Sequence, residues 1–133
     1  IRRAQATSNI CTNQTLMAIR AAVYLVVMGG DGLRKVAELS LQKAHYLYEK
    51  LTELRGVDPV YSYPFFNEFL LKLPLSAEYV VERLLEHNIL AGVPLSRFFP
   101  ERDKELLVAV TEKRTKSEMD HYVDRLRHVI DGG

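Results

Sequence analysis

The chain has 133 residues, 47% of them hydrophobic and 26% charged, a length and composition that suit one globular domain and exclude a disordered or fibrous chain. Eighteen basic against seventeen acidic residues give a formal charge of +1, which argues against non-specific binding to nucleic acid or to an anionic membrane. The single cysteine, Cys11, excludes an internal disulfide and fits a reducing compartment.

The chain begins at Ile1, and no signal-peptide pattern precedes its first apolar run, so it is expected to be a piece of a longer protein. That run, Leu16 to Met28, holds thirteen residues broken only by Arg20. Being apolar on every side, it predicts a helix buried on most faces, with a further domain or a subunit interface covering it. A membrane span needs about 20 such residues, so the run reads as too short for one. Gly29, Gly30, Asp31 and Gly32 then predict a helix stop and a new start, with Asp31 or Gly30 as the cap. No lysine–hydroxyl pair follows, so this is not a phosphate loop.

The next helix has the clearest period. Leu33, Val36, Ser40, Ala44, Leu47, Leu51 and Leu54 recur at steps of three and four, and Gly56 is the expected stop. Such a helix is a rod of about 36 Å. Pro59, Tyr61, Tyr63, Pro64, Phe65 and Phe66 predict an extended aromatic connector. Asn67 to Leu73 reads as a strand with Phe69, Leu71 and Leu73 on one face. Ser76 can cap a short helix with Ala77, Val80, Val81, Leu84 and Leu85 in one stripe. Ile89 to Val93 is expected as a short strand, followed by a loop from Pro94 to Pro100 and a second apolar strand from Leu106 to Thr111. Thr115 and Glu118 form a capping box opening a last helix that buries Met119, Tyr122, Val123, Leu126 and Ile130. The order strand, helix, strand, strand, helix predicts a two-layer α+β domain with its helices on one face of the sheet.

Little in this pattern carries chemistry. His121 and His128 lie seven apart among Asp120, Asp124 and Asp131, without the convergent ligand spacing of a zinc site, and read as a solvated face. Cys11 has no histidine nearby in sequence to activate it, so no catalytic residue and no metal ligand is expected. The polar stretch Ala6 to Gln14 leads directly into the apolar helix. Its short hydroxyl and amide side chains suit either helix capping, by Thr12 or Asn13, or contact with a phosphate or other ligand.

That stretch, Ile1-Arg2-Arg3-Ala4-Gln5-Ala6-Thr7-Ser8-Asn9-Ile10-Cys11-Thr12-Asn13-Gln14, resembles a segment of the glycine cleavage system P-protein family, the decarboxylating glycine dehydrogenases, most of all subunit 1 of the split bacterial form. The resemblance continues through Ala22-Val23-Tyr24-Leu25, Gly32-Leu33-Arg34, Gln42-Lys43-Ala44-His45-Tyr46-Leu47 and Gly92-Val93-Pro94-Leu95, and finishes in Leu107-Val108-Ala109-Val110-Thr111-Glu112-Lys113-Arg114-Thr115.

The resemblance implies an α+β chain that is the C-terminal small domain of a type I pyridoxal-phosphate, aminotransferase-like fold. Residues 1–30 would end the large domain as an interface helix, 31–56 would form the connecting helix, and 57–133 the small domain. It implies a subunit that, with subunit 2, decarboxylates glycine on pyridoxal phosphate and passes the aminomethyl group to the lipoyl H-protein. The cofactor lysine would belong to subunit 2, and this chain alone would be inactive. Thr7, Ser8 and Asn9 would lie at the subunit interface, in reach of the cofactor phosphate. An oligomer in the bacterial cytoplasm, with no nucleic-acid or membrane partner, is expected. Many type I relatives carry an arginine for the substrate carboxylate on the late small-domain strand, and Leu106 to Val110 has none. The competing expectation is a non-enzymatic α+β module that binds a partner or a small ligand.

Overall fold

At Gly29 the backbone takes φ 60° and ψ −173°, a region essentially reserved for glycine, and this one residue interrupts helix α1 (Thr15–Thr52). The break expected at the glycine cluster is therefore real. Its non-helical residue is Gly29 rather than the expected caps Gly30 or Asp31, both of which lie in the following helical run. The computed structural model describes residues 14–132 of an α+β chain that divides into two units between Lys35 and Val36.

In the first unit the apolar side chains of α1 are exposed rather than buried, Leu16 and Val26 each to 82%. The helical frame also carries the apolar stretch beyond the thirteen residues of the run. An 18-residue window of α1 is long and apolar enough to cross a membrane by length and composition, so length alone does not exclude a span as expected from the sequence.

In the second unit Ser40, Ala44, Leu47 and Leu51 form the buried stripe of α1, and the Ser40 hydroxyl is satisfied by donating to the Val36 carbonyl at 2.8 Å. The helix ends at Thr52, short of the expected Gly56. Four antiparallel strands follow in the order β1-β2-β4-β3: β1 (Asp58–Pro59), β2 (Glu68–Lys72), β3 (Val93–Pro94) and β4 (Glu105–Ala109). The β2–β4 register pairs Phe69 with Val108 and Leu71 with Leu106, and all four side chains are buried. These cross-strand pairs join Leu47 and Leu51, Val80 and Leu84 of α2 (Ala77–Leu85), and Leu126 of α3 (Lys116–Asp131) in one core.

Several local expectations need correction. Ser76 sits at the cap position of α2 but makes no side-chain cap bond; the Ala77 N–H instead donates to the Asp103 carbonyl at 2.8 Å. Leu85 falls at the edge of the stripe and is exposed. The strand expected over Ile89 to Val93 shrinks to Val93–Pro94, because the preceding backbone is otherwise engaged. Ile89 N–H donates to Leu84 and Asn88 N–H to Leu85, a Schellman ending with Asn88 left-handed at φ 60°, and the Ala91 carbonyl accepts from the buried Tyr122 hydroxyl at 3.0 Å. A 3-10 turn, Leu95–Arg97, lies within the expected loop, and β4 runs Glu105–Ala109 rather than on to Thr111. Ile130 is half-buried. The capping box at Thr115 is present in both directions, with Glu118 N–H donating to the Thr115 hydroxyl and Thr115 N–H to the Glu118 carboxylate.

A polar clasp ties the second half of α1 to α3 and to the turn that precedes it. The Tyr46 hydroxyl donates to Asp120 Oδ1 at 2.5 Å, Lys116 Nζ donates to Oδ2 at 2.6 Å, and Lys43 Nζ donates to the Glu112 carbonyl. The Lys116 hydrogen bond, and then that of Tyr46, hold the Asp120 carboxyl below its usual range. A lowered folded-state pKa contributes stability above the unfolded value and loses it as pH falls through the folded one. Asp120→Asn is therefore expected to destabilise the chain near neutral pH, with the difference from the parent closing below about pH 4 in denaturant titrations. A difference that stays constant into acid would show that charge plays no part in the clasp.

Gly92 supplies a second test. Its φ is 152°, and a Cβ there would stand 2.3 Å from the Leu107 carbonyl oxygen of β4. Gly92→Ala is expected to cost about 2 kcal/mol or more, since both the backbone conformation and the close strand approach resist it. Thermal unfolding within about 0.5 kcal/mol of the parent would refute that reading.

Candidate functional site

Two clefts in the second unit are the candidates, and both are assembled by residues far apart in sequence. The first, of about 320 Å³, lies where the Schellman ending of α2, the end of β4 and the start of α3 converge. Leu47, Val108, Val110 and Met119 give it an apolar floor, and His87, Arg114, Glu118 and His121 supply its polar groups. The capping box fixes Glu118: its Oε2 accepts from Thr115 N–H at 2.7 Å and from the Thr115 hydroxyl at 2.9 Å. Those bonds, the backbone one foremost, hold the Glu118 carboxyl below its usual range. Arg114 Nη1 stands 3.5 Å from Glu118 Oε1 as an exposed ion pair. Tyr122 is no candidate base, because burial pushes its phenol up and its hydroxyl is committed to the Ala91 carbonyl. The arrangement can hold a small polar molecule over an apolar floor, but it brings together no nucleophile and base.

The second cleft, of about 370 Å³, is aromatic. Tyr48, Phe65 and Phe69 meet with ring centroids 5.1 to 5.3 Å apart, and Tyr61, Tyr63 and Glu68 complete its walls. Behind Phe65, His45 stacks at 4.2 Å and 9°, with its Nε2 at 3.2 Å from the Phe65 carbonyl. His45 is thus a packed structural histidine.

Of the residues singled out in the sequence for their chemistry, only His121 lines a cleft, the first one. Thr7, Ser8 and Asn9 lie outside the described residues, as do Cys11 and the alternative caps Thr12 and Asn13. His121 and His128 are exposed on α3 as expected, and His128 Nδ1 lies 2.6 Å from the Asp124 carbonyl. Among the described residues no group of three or more His, Cys, Asp or Glu side chains could hold a metal ion. Strand β4 carries no arginine, and no lysine lines either cleft. Sequence reasoning missed Arg114 as a cleft residue, although its spacing from Glu118, four residues on, is the signal that pairs them. It also read Tyr61 to Phe66 only as a connector, since no local spacing announces that Tyr48 and Phe69 meet that segment.

Comparison with known proteins covers nearly the whole chain. A probable glycine dehydrogenase (decarboxylating) subunit 1 from Dictyoglomus turgidum is 49% identical over 132 residues, 98% of this chain. This chain spans only 29% of that relative's length. The crystal structure of an inhibitor-bound glycine decarboxylase (P-protein) of the glycine cleavage system superposes with a TM-score of 0.82 and 39% identity, over 97% of this chain and 29% of that one. A C-DES variant with glycine covalently linked to its PLP cofactor covers 71% of this chain and 24% of its own, with a TM-score of 0.59. At 18% identity, that likeness shows a shared fold alone. The family profile for the glycine cleavage system P-protein matches residues 1–126, and the chain belongs to that family.

Proposed function

We propose that this chain is the C-terminal part of subunit 1 of a glycine dehydrogenase (decarboxylating), which acts with subunit 2 on glycine and pyridoxal phosphate and delivers the aminomethyl group to the lipoyl H-protein. The observation that carries this reading is the P-protein match across 97% of the chain at a TM-score of 0.82. The cofactor, when bound in the parent enzyme, supplies an electron sink for the bond to the glycine carboxylate. The described residues do not fit it as a site of their own, because no lysine lines a cleft and β4 has no arginine. In the proposed enzyme the cofactor lysine belongs to subunit 2, and the present chain by itself is inactive.

In this reading residues 1–30 end the large domain, 31–56 connect, and 57–133 are the small domain. The exposed apolar side chains of α1, Val23, Leu25 and Val27 among them, then face the remainder of the subunit or its partner, an interface rather than a membrane span. Thr7, Ser8 and Asn9 would supply the subunit interface or contact the cofactor phosphate. The assembly is a cytoplasmic bacterial oligomer. A free-standing interaction module has nothing comparable in its favour, since it gives no reason for so long an uncovered apolar stretch.

Two experiments test the proposal. Leu25→Asp in the full-length subunit is expected to destabilise it by about 3–5 kcal/mol, as a buried unpaired charge does. A loss below about 1 kcal/mol in denaturant unfolding would show that this helix is uncovered in the parent protein. In glycine-dependent carbon dioxide exchange, activity is expected only when full-length subunit 1 and subunit 2 are combined with pyridoxal phosphate and H-protein. Asn9→Ala should then weaken cofactor retention by about tenfold, the scale of one charge-assisted hydrogen bond. Full activity from subunit 2 alone would sink the partner role.

A further inference from the structure

We infer that the aromatic cleft beside β2 binds a primary alkylammonium group, of the kind that ends a lysine side chain. Tyr48 and Phe65, both half-buried, form a wall already built before any ligand arrives, backed by the buried Phe69, with each pair of rings packed at 5.1 to 5.3 Å. His45, stacked on Phe65, braces that wall from behind. Tyr61 and Tyr63 add two exposed rings at the rim. Ring faces attract cations, a lysine-type ammonium among them, through their quadrupole.

Charge selects the same ligand. Glu68 is the one charged residue in the lining, and among the described residues its carboxylate has neither a hydrogen bond nor an ion pair. Arg102, which reaches the rim at Tyr61, is committed elsewhere. It donates to the Tyr61 hydroxyl at 3.3 Å, lies with its guanidinium 5.8 Å from the Phe99 ring centroid, and pairs with Glu105. The cleft therefore offers aromatic surface and one carboxylate without an ion-pair partner, and its lining holds no lysine or arginine. A neutral ligand of the same shape would gain the apolar contact but leave Glu68 unpaired. This inference stands independently of the enzymatic reading, because it draws only on the second unit's own side chains.

The test is saturation-transfer NMR of n-butylammonium with the full-length subunit, alongside 1-butanol as the neutral isostere. Saturable binding of the amine and not of the alcohol is expected. Glu68→Gln and, separately, Tyr63→Ala should each weaken it at least about fivefold, and added salt should weaken it further. Tyr63 is 77% exposed, so its substitution tests the site even if the strand variant folds poorly. Equal binding of butanol, or full retention of amine binding in both variants, would overturn the inference. A blocked lysine tripeptide distinguishes the source: tighter binding than n-butylammonium assigns a protein side chain, and equal binding assigns a free amine.

Discussion

The pairing of β2 with β4 is the constraint on which the second unit rests. Five residues on each strand align, and the register puts Phe69 against Val108 and Leu71 against Leu106 on the side where the helices gather. A slip of one residue would turn those side chains to the opposite face and bring Glu68, Leu70 and Lys72 inward. The consequences spread from there. Gly92 has to pass close to the Leu107 carbonyl because β4 is fixed by its other neighbour, and the first cleft opens where Val108 and Val110 reach the start of α3.

Much of this was legible in the sequence. Phe69, Leu71 and Leu73 announce their face by strict alternation, and Thr115 with Glu118 announces the last helix by a local hydrogen-bond pattern. What escaped depends on partners distant in the chain. Strand β1 exists only because Asp58 and Pro59 meet Lys72 and Leu71, and two residues carry no period. The expected strand at Ile89 to Val93 is cut short by a helix ending at Asn88 and by the Tyr122 hydroxyl, 31 residues beyond the Ala91 carbonyl that it occupies. The clefts are of the same kind, since Tyr48, Tyr61 and Phe69 share no motif.

The polar residues Thr7, Ser8 and Asn9 show the opposite balance. Composition alone left capping and phosphate contact open, and the family resemblance singled them out for the interface. Their reading rests on family membership, which the match over residues 1–126 establishes, and the enzyme assay tests it. The exposed apolar side chains of the first unit carry physical weight of their own, because a soluble surface seldom leaves so many together without a partner.

The two outer strands of the sheet deserve a last comparison. Each is only two residues long, and each ends in a proline, Pro59 in β1 and Pro94 in β3. Proline has no N–H to offer a further strand, and so short an edge gives an incoming chain almost nothing to template on. These two edge strands are therefore poor templates for strand addition, the route by which exposed sheets aggregate or swap segments. An assembly made across β1 or β3 has to rely on side chains, so it can be changed by surface substitution while the backbone ladder stays as it is.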